Sequence, residues 1–205
     1  MIVLIDCGMG NIGSIFNMLR KVGADVLISR KPEDIRQASK LILPGVGAFD
    51  DGIARLKEFG LVSVLEEEVI GKGKTILGIC LGMQLFSKGS EEGQSPGLGW
   101  VNADTVRFKF GDNLKNFKVP HMGWNTVQAM KESVFFAPHQ EEKRFYFVHS
   151  YHVVCNDQKD VLTTTSHGFE FVSALQKGNI IGVQFHPEKS HKFGIDFIKR
   201  FAEMS

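Results

Sequence analysis

Cys80 stands in the run Gly78-Ile79-Cys80-Leu81-Gly82, with a glycine two residues away on either side, where an apolar strand pattern from Thr75 gives way to helical spacing from Met83. A thiol at a sharp strand-to-helix turn has the geometry of a nucleophile elbow: the backbone is strained there, and small neighbours let strand and helix approach without collision. Such a turn presents the sulfur at the end of the sheet. A helix N-terminus directly after it favours the thiolate and leaves the Leu81 N–H free to donate to a developing oxyanion. By residue type alone, Cys80 is equally a small buried apolar side chain.

A nucleophile of this kind needs a base. Phe185-His186-Pro187-Glu188 supplies one: in an extended chain His186 and Glu188 project from the same side, and Pro187 biases His186 toward β geometry. Glu188 then accepts one ring N–H and leaves the other nitrogen for the thiol, giving nucleophile, base and orienter. Leu43-Pro44-Gly45-Val46-Gly47 ends the preceding strand, and its glycines can turn the amide of Val46 or Gly47 toward a carbonyl under attack. The plainer reading of that segment is a strand-ending turn.

Other patterns carry less chemistry. Gly8-Met9-Gly10-Asn11-Ile12-Gly13 follows a strand and opens a helix as a dinucleotide fingerprint would, but the second strand ends in Ser29, Arg30 and Lys31 instead of a ribose-binding carboxylate. A tight strand–helix turn is the preferred reading, with Asn11 capping the helix or pointing toward a ligand. His149 and His152, three residues apart, are expected on opposite faces of one strand, and no metal-binding spacing occurs, so neither metal nor cofactor is expected.

Composition narrows the class. With 24 Lys and Arg against 23 Asp and Glu, the net charge of +1 gives no field for nucleic acid or an anionic membrane. The cysteines Cys7, Cys80 and Cys155 are widely spaced, which fits a reducing, cytoplasmic setting. Met1 leads straight into a strand pattern without the features of a signal peptide, and no apolar run approaches the ~18 residues of a membrane span. Seventeen Phe against two Tyr predict a Phe-rich core or interface.

The elements that must position these residues follow from hydrophobic periodicity. Short apolar runs at 2–6, 26–28, 41–43 and 75–79 alternate with helical spacing at 12–22, after Pro32, at 51–70 and from Met83, the rhythm of parallel βαβ units. The second half predicts strands at 104–110, 145–151, 161–166, 170–175 and 180–185, then a helix at 191–203 with Phe193, Phe197, Ile198 and Phe201 as its stripe. The expected fold is α/β: one domain over 1–205, an open mixed, mostly parallel sheet flanked by helices, with additional strands in the second half.

Taken together, Asp6–Asn11, Pro44–Phe49, Gly78–Gln84, Gly97–Gly99, Val119–Asn125, Phe147–Tyr151 and Phe185–Ser190 resemble the class I glutamine amidotransferases over essentially the whole chain. Within that class they are most similar to glutaminase subunits of imidazole glycerol phosphate synthase, from histidine biosynthesis. The resemblance implies that Cys80, His186 and Glu188 hydrolyse L-glutamine, that Gly82 and Gln84 help seat it, and that Asn11, Trp124, Tyr146 and Lys189 face a (β/α)₈-barrel cyclase subunit receiving the ammonia. Ser95–Trp100 and Lys189–Gly194 look more like paralogues that work with a barrel protein and a sugar amidotransferase on surface polysaccharides. A stand-alone cysteine hydrolase and a non-catalytic binding subunit are the remaining alternatives.

Overall fold

The computed structural model describes residues 1–111, 114, 116–137 and 142–204. Strand β1 (Ile2–Ile5) is buried at every residue, as a central parallel strand covered on both faces must be. Helix α1 (Ile12–Lys21) starts at Asn11, whose Oδ1 accepts the Ser14 N–H at 3.3 Å, and turns Ile15 and Leu19 into the core. Strand β2 (Val26–Ser29), helix α2 (Pro32–Gln37) and strand β3 (Lys40–Gly45) follow. The helix expected over 51–70 is divided: α3 (Phe49–Glu58) stops before Gly60, left-handed at φ 65°, and α4 (Leu61–Leu65) runs into a π turn at Glu66–Gly71. Strand β4 (Thr75–Cys80) then passes directly into the short helix α5 (Leu81–Leu85).

The second half contains β5 (Ala103–Arg107), β6 (His121–Ala129), β7 (Lys143–His149), β8 (Tyr151–Cys155), β9 (Val161–His167), β10 (Phe169–Lys177), β11 (Ile180–Val183) and helix α6 (His191–Glu203). The eleven strands of the described residues form one sheet in the order β2-β1-β3-β4-β11-β10-β9-β6-β7, with β8 pairing with β10 and carrying β5. From β2 to β11 the pairing is parallel, and beyond β11 it is antiparallel. The mixed α/β class is therefore as expected, with the parallel pairing confined to β2, β1, β3, β4 and β11. Strand β6 has no counterpart in the periodicity reading, because Gly123 at φ 131° and exposed Met122 and Trp124 break the apolar alternation. The strand expected over 145–151 ends at His149 and resumes as β8 at Tyr151. No helix of the described residues is long and apolar enough to cross a membrane.

Phenylalanine dominates one face of the sheet. Phe135, Phe145, Phe185, Phe197 and Phe201 are fully buried there, with Phe145 and Phe185 stacked at 3.9 Å, so α6 docks through the stripe expected of it. Burying each such ring stabilises the fold by roughly 2–3 kcal/mol. Around Phe108 the same face gathers histidines: His149 and His152 lie at 5.3 and 4.6 Å from its ring, not on opposite faces, because the chain breaks between β7 and β8.

Burial pushes His121 and His152 down to about 4 and His149 well below the ordinary imidazole range. The unfolded chain takes up protons on these rings that the fold excludes, so their contribution is complete above about pH 6.5 and declines as pH falls toward 4. Urea unfolding at pH 7 and pH 5 should show a loss of roughly 2 kcal/mol or more on acidification. Equal unfolding free energies at the two values would contradict this.

Candidate active site

Cys80 ends β4 with φ 53° and ψ −109°, a conformation that side chains other than glycine rarely adopt. Close packing around the turn imposes it. A methyl at Gly82 would stand 1.9 Å from the Leu43 carbonyl oxygen, and one at Gly78 would stand 2.7 Å from Gly82 backbone. Gly82 thus lets α5 lie against β3, and it does not line the cavity beside Cys80.

That cavity, about 330 Å³, is bordered by Cys80, Leu81, Gln84, Val46, Gly47 and His186 among others. Register puts Gly45 directly opposite Cys80, so the turn after β3 comes to the sulfur's side, and Gly47 has φ 108°. The two oxyanion candidates from this turn therefore join Leu81 at one opening. Gln84 is buried, its amide donating to Gln184 Oε1 at 3.1 Å and to the Tyr151 carbonyl at 3.2 Å.

His186 follows β11, the strand next to β4, and so arrives beside Cys80. Its backbone N–H donates to the Tyr146 carbonyl at 2.9 Å, and Ser190 Oγ donates to its carbonyl at 2.6 Å. Nδ1 lies 2.7 Å from Glu188 Oε1, both side chains being almost fully buried, while Nε2 is buried without a hydrogen-bond partner among the described residues. Burial disfavours a charged imidazole here, but Cys80 and Glu188 outweigh it and push His186 up to about 10. Cys80 and His186 border one cavity, and Glu188 holds the ring by Nδ1, which leaves Nε2 for a group in that cavity.

The residues assigned to a partner fall into one aromatic cluster and one cap. Trp124 contacts Tyr146 edge-on at 6.4 Å, Lys189 Nζ sits 5.6 Å over the Tyr146 ring, and His191 stacks on Trp124 at 5.5 Å. Asn11 instead caps α1, which packs against the 187–189 turn. The glycine loop before it is fixed from within: Gly8 and Gly10 take φ 68° and 98°, and Asp6 accepts the Gly8 N–H and pairs with Arg30 at 3.2 Å.

Sequence patterns did not point to Glu92 and gave Ser150 and Tyr151 no role beyond the segment that resembles the family, although all three border the cavity; nor did they mark Gln184, which touches the sulfur. Glu92 arrives on an irregular segment with no periodicity to mark it. Gln184 had a signal, since it precedes His186 by two residues in an extended chain and shares its side.

Residues 3–203 match the family described as glutamine amidotransferase class-I, and the chain belongs to that family. Over 205 residues it is 52% identical to "Imidazole glycerol phosphate synthase subunit HisH 2" of Methanococcus maripaludis, covering 100% of both chains. The protein of the same description from Pseudomonas aeruginosa is 52% identical over 204 residues, again covering 100% of both. Among solved structures, one described as a glutamine amidotransferase superposes with TM-score 0.74 at 17% identity, covering 98% of this chain and 99% of that one. PurLQS from Thermotoga maritima gives TM-score 0.71 at 19% identity, covering 98% and 94%. At those identities the structures speak for the fold alone.

Proposed function

We propose that this chain is the glutaminase subunit of an imidazole glycerol phosphate synthase, with Cys80 as nucleophile, His186 as acid–base and Glu188 as its orienter. The observation that carries the reading is the His186–Glu188 pair at 2.7 Å, with Nε2 left open and Cys80 on the same cavity of about 330 Å³. The Cys80 thiolate attacks the side-chain amide carbon of L-glutamine, and N–H groups from Leu81 and the Val46–Gly47 turn hold the oxyanion. His186 gives its proton to the departing ammonia, then takes one from water, which hydrolyses the γ-glutamyl thioester to glutamate. Glu92 accepts the Phe49 N–H at 2.9 Å and keeps acceptor capacity for the substrate's α-ammonium group. Glu92→Gln should raise KM about tenfold or more with a smaller change in kcat, and an unchanged KM would remove Glu92 from the substrate site.

Ammonia released into water near neutral pH is mostly protonated and loses its nucleophilicity, so a (β/α)₈-barrel cyclase subunit covering the opening serves the chemistry. The Trp124, Tyr146 and Lys189 cluster is the proposed docking face, and cytoplasmic assembly with that subunit is part of the reading. Glutamine turnover should therefore be slow for the purified chain and rise on adding the cyclase subunit, with product forming from glutamine. Comparable turnover without the partner would contradict partner control.

A second acceptor is favoured by one specific observation. His191, at φ 46° in the segment that resembles polysaccharide paralogues, stacks on Trp124 in the docking cluster. That contact fits a different barrel protein and ammonia supply to a sugar amidotransferase. Which barrel protein copurifies, and whether histidine-pathway product forms, separates the two.

A further inference from the structure

The sulfur of Cys80 has a neighbour that the mechanism above does not use. Gln184 is fully buried at the end of β11, and its Nε2 lies 3.6 Å from Cys80 Sγ, within hydrogen-bonding reach of sulfur. Its amide has only one consistent orientation. Gln184 Oε1 accepts from Gln84 Nε2 at 3.1 Å, and the same Gln84 nitrogen donates to the Tyr151 carbonyl at 3.2 Å. Turning Gln84 over would set its oxygen against the Tyr151 carbonyl, and turning Gln184 over would set two NH₂ groups face to face. Both inversions leave buried polar groups unpaired, which costs about 1–3 kcal/mol for each.

The Tyr151 carbonyl can only accept, so it fixes the Gln84 amide on one side and the His149 ring on the other. His149 Nδ1 approaches that carbonyl at 2.7 Å, so this nitrogen carries the hydrogen and Nε2 must accept. His121 Nδ1, 3.0 Å away, is then the donor to His149 Nε2, and His121 Nε2 accepts from Asn125 Nδ2 at 3.1 Å. Asn125 follows Trp124 on β6. Burial keeps both imidazoles neutral near pH 7, which preserves the direction of every donor.

We propose that Gln184 is a further catalytic residue, donating an amide hydrogen to the Cys80 sulfur, and that the Tyr151 carbonyl, acting through Gln84, is the positioning device fixing which end of that amide faces the sulfur. The proposal rests on Cys80 being the nucleophile. A hydrogen bond to an anionic sulfur stabilises the thiolate and restricts it to the cavity side of the turn. Gln84 reaches the sulfur through Gln184, so for the state of the thiolate the two side chains work as one unit, apart from any contact Gln84 makes with substrate from the cavity wall.

Gln184→Met and Gln84→Met keep chain length and add no buried charge. In the complex with the cyclase subunit, Gln184→Met should lower kcat with glutamine roughly 10- to 100-fold, with KM changed less than about threefold. Alkylation of Cys80 by iodoacetamide at pH 7 should slow in parallel. Gln84→Met should lower kcat in the same direction, and the double variant should be no slower than Gln184→Met alone, as expected of groups in one chain. Wild-type alkylation and kcat in Gln184→Met would overturn the proposal, as would losses that multiply in the double variant. If Gln184→Met does not fold, Gln84→Met decides: slowed alkylation supports the positioning role, and a wild-type rate overturns it. An unmodified wild-type complex that turns over glutamine without using Cys80 would instead defeat the underlying reading, an outcome distinct from either.

Discussion

Cys80→Ala should reduce glutamine-driven product formation by the complex at least about 10⁴-fold, while product formation from added ammonium, the partner's chemistry, continues. A cysteine at φ 53° is held there because β4 must turn at once into α5, and the same turn brings the sulfur to His186 and the Val46–Gly47 turn. Alanine keeps the turn and the pocket but removes the atom proposed to form the thioester. Initial rates with glutamine and with ammonium, measured on the same preparation, check the result. Retention of a tenth of the glutamine rate would mean that another group attacks the amide.

The second large effect is on the fold. Gly82→Ala would place a methyl 1.9 Å from the Leu43 carbonyl oxygen, a backbone atom that cannot move without shifting β3. Overpacking against backbone of this kind costs about 3 kcal/mol or more, so the melting temperature should fall by roughly 6–12 °C. Gly89→Ala is the matched control, because nothing lies within 4 Å of the added methyl. A Gly82→Ala variant that melts with the wild type would show that β3 and α5 are less tightly joined than this geometry requires.

These two residues also show how much of the site was legible in the sequence. The strand-to-helix turn at Cys80 and the alternating His186 and Glu188 are local patterns, and local backbone geometry turns them into local placement. Strand β4 and strand β11 are over a hundred residues apart, however, and their pairing was not readable from periodicity. The same limit hid Glu92, which arrives on an irregular segment tied back by the Phe49 N–H. It also hid the histidine run, because His121 sits on the unrecognised strand β6 and His149 ends a strand expected to continue. Gly60 divided an expected helix for a simpler reason: one left-handed residue overrides a hydrophobic stripe that fits a continuous helix.

The most direct test of the central claim is a rapid-quench experiment on the complex with glutamine, followed by mass spectrometry of the peptide containing Cys80. The account predicts a γ-glutamyl adduct on that cysteine, formed before glutamate is released and absent from Cys80→Ser. Glutamate appearing at the normal rate with no adduct on Cys80 at any quench time, or with the adduct on Cys7 or Cys155, would contradict it.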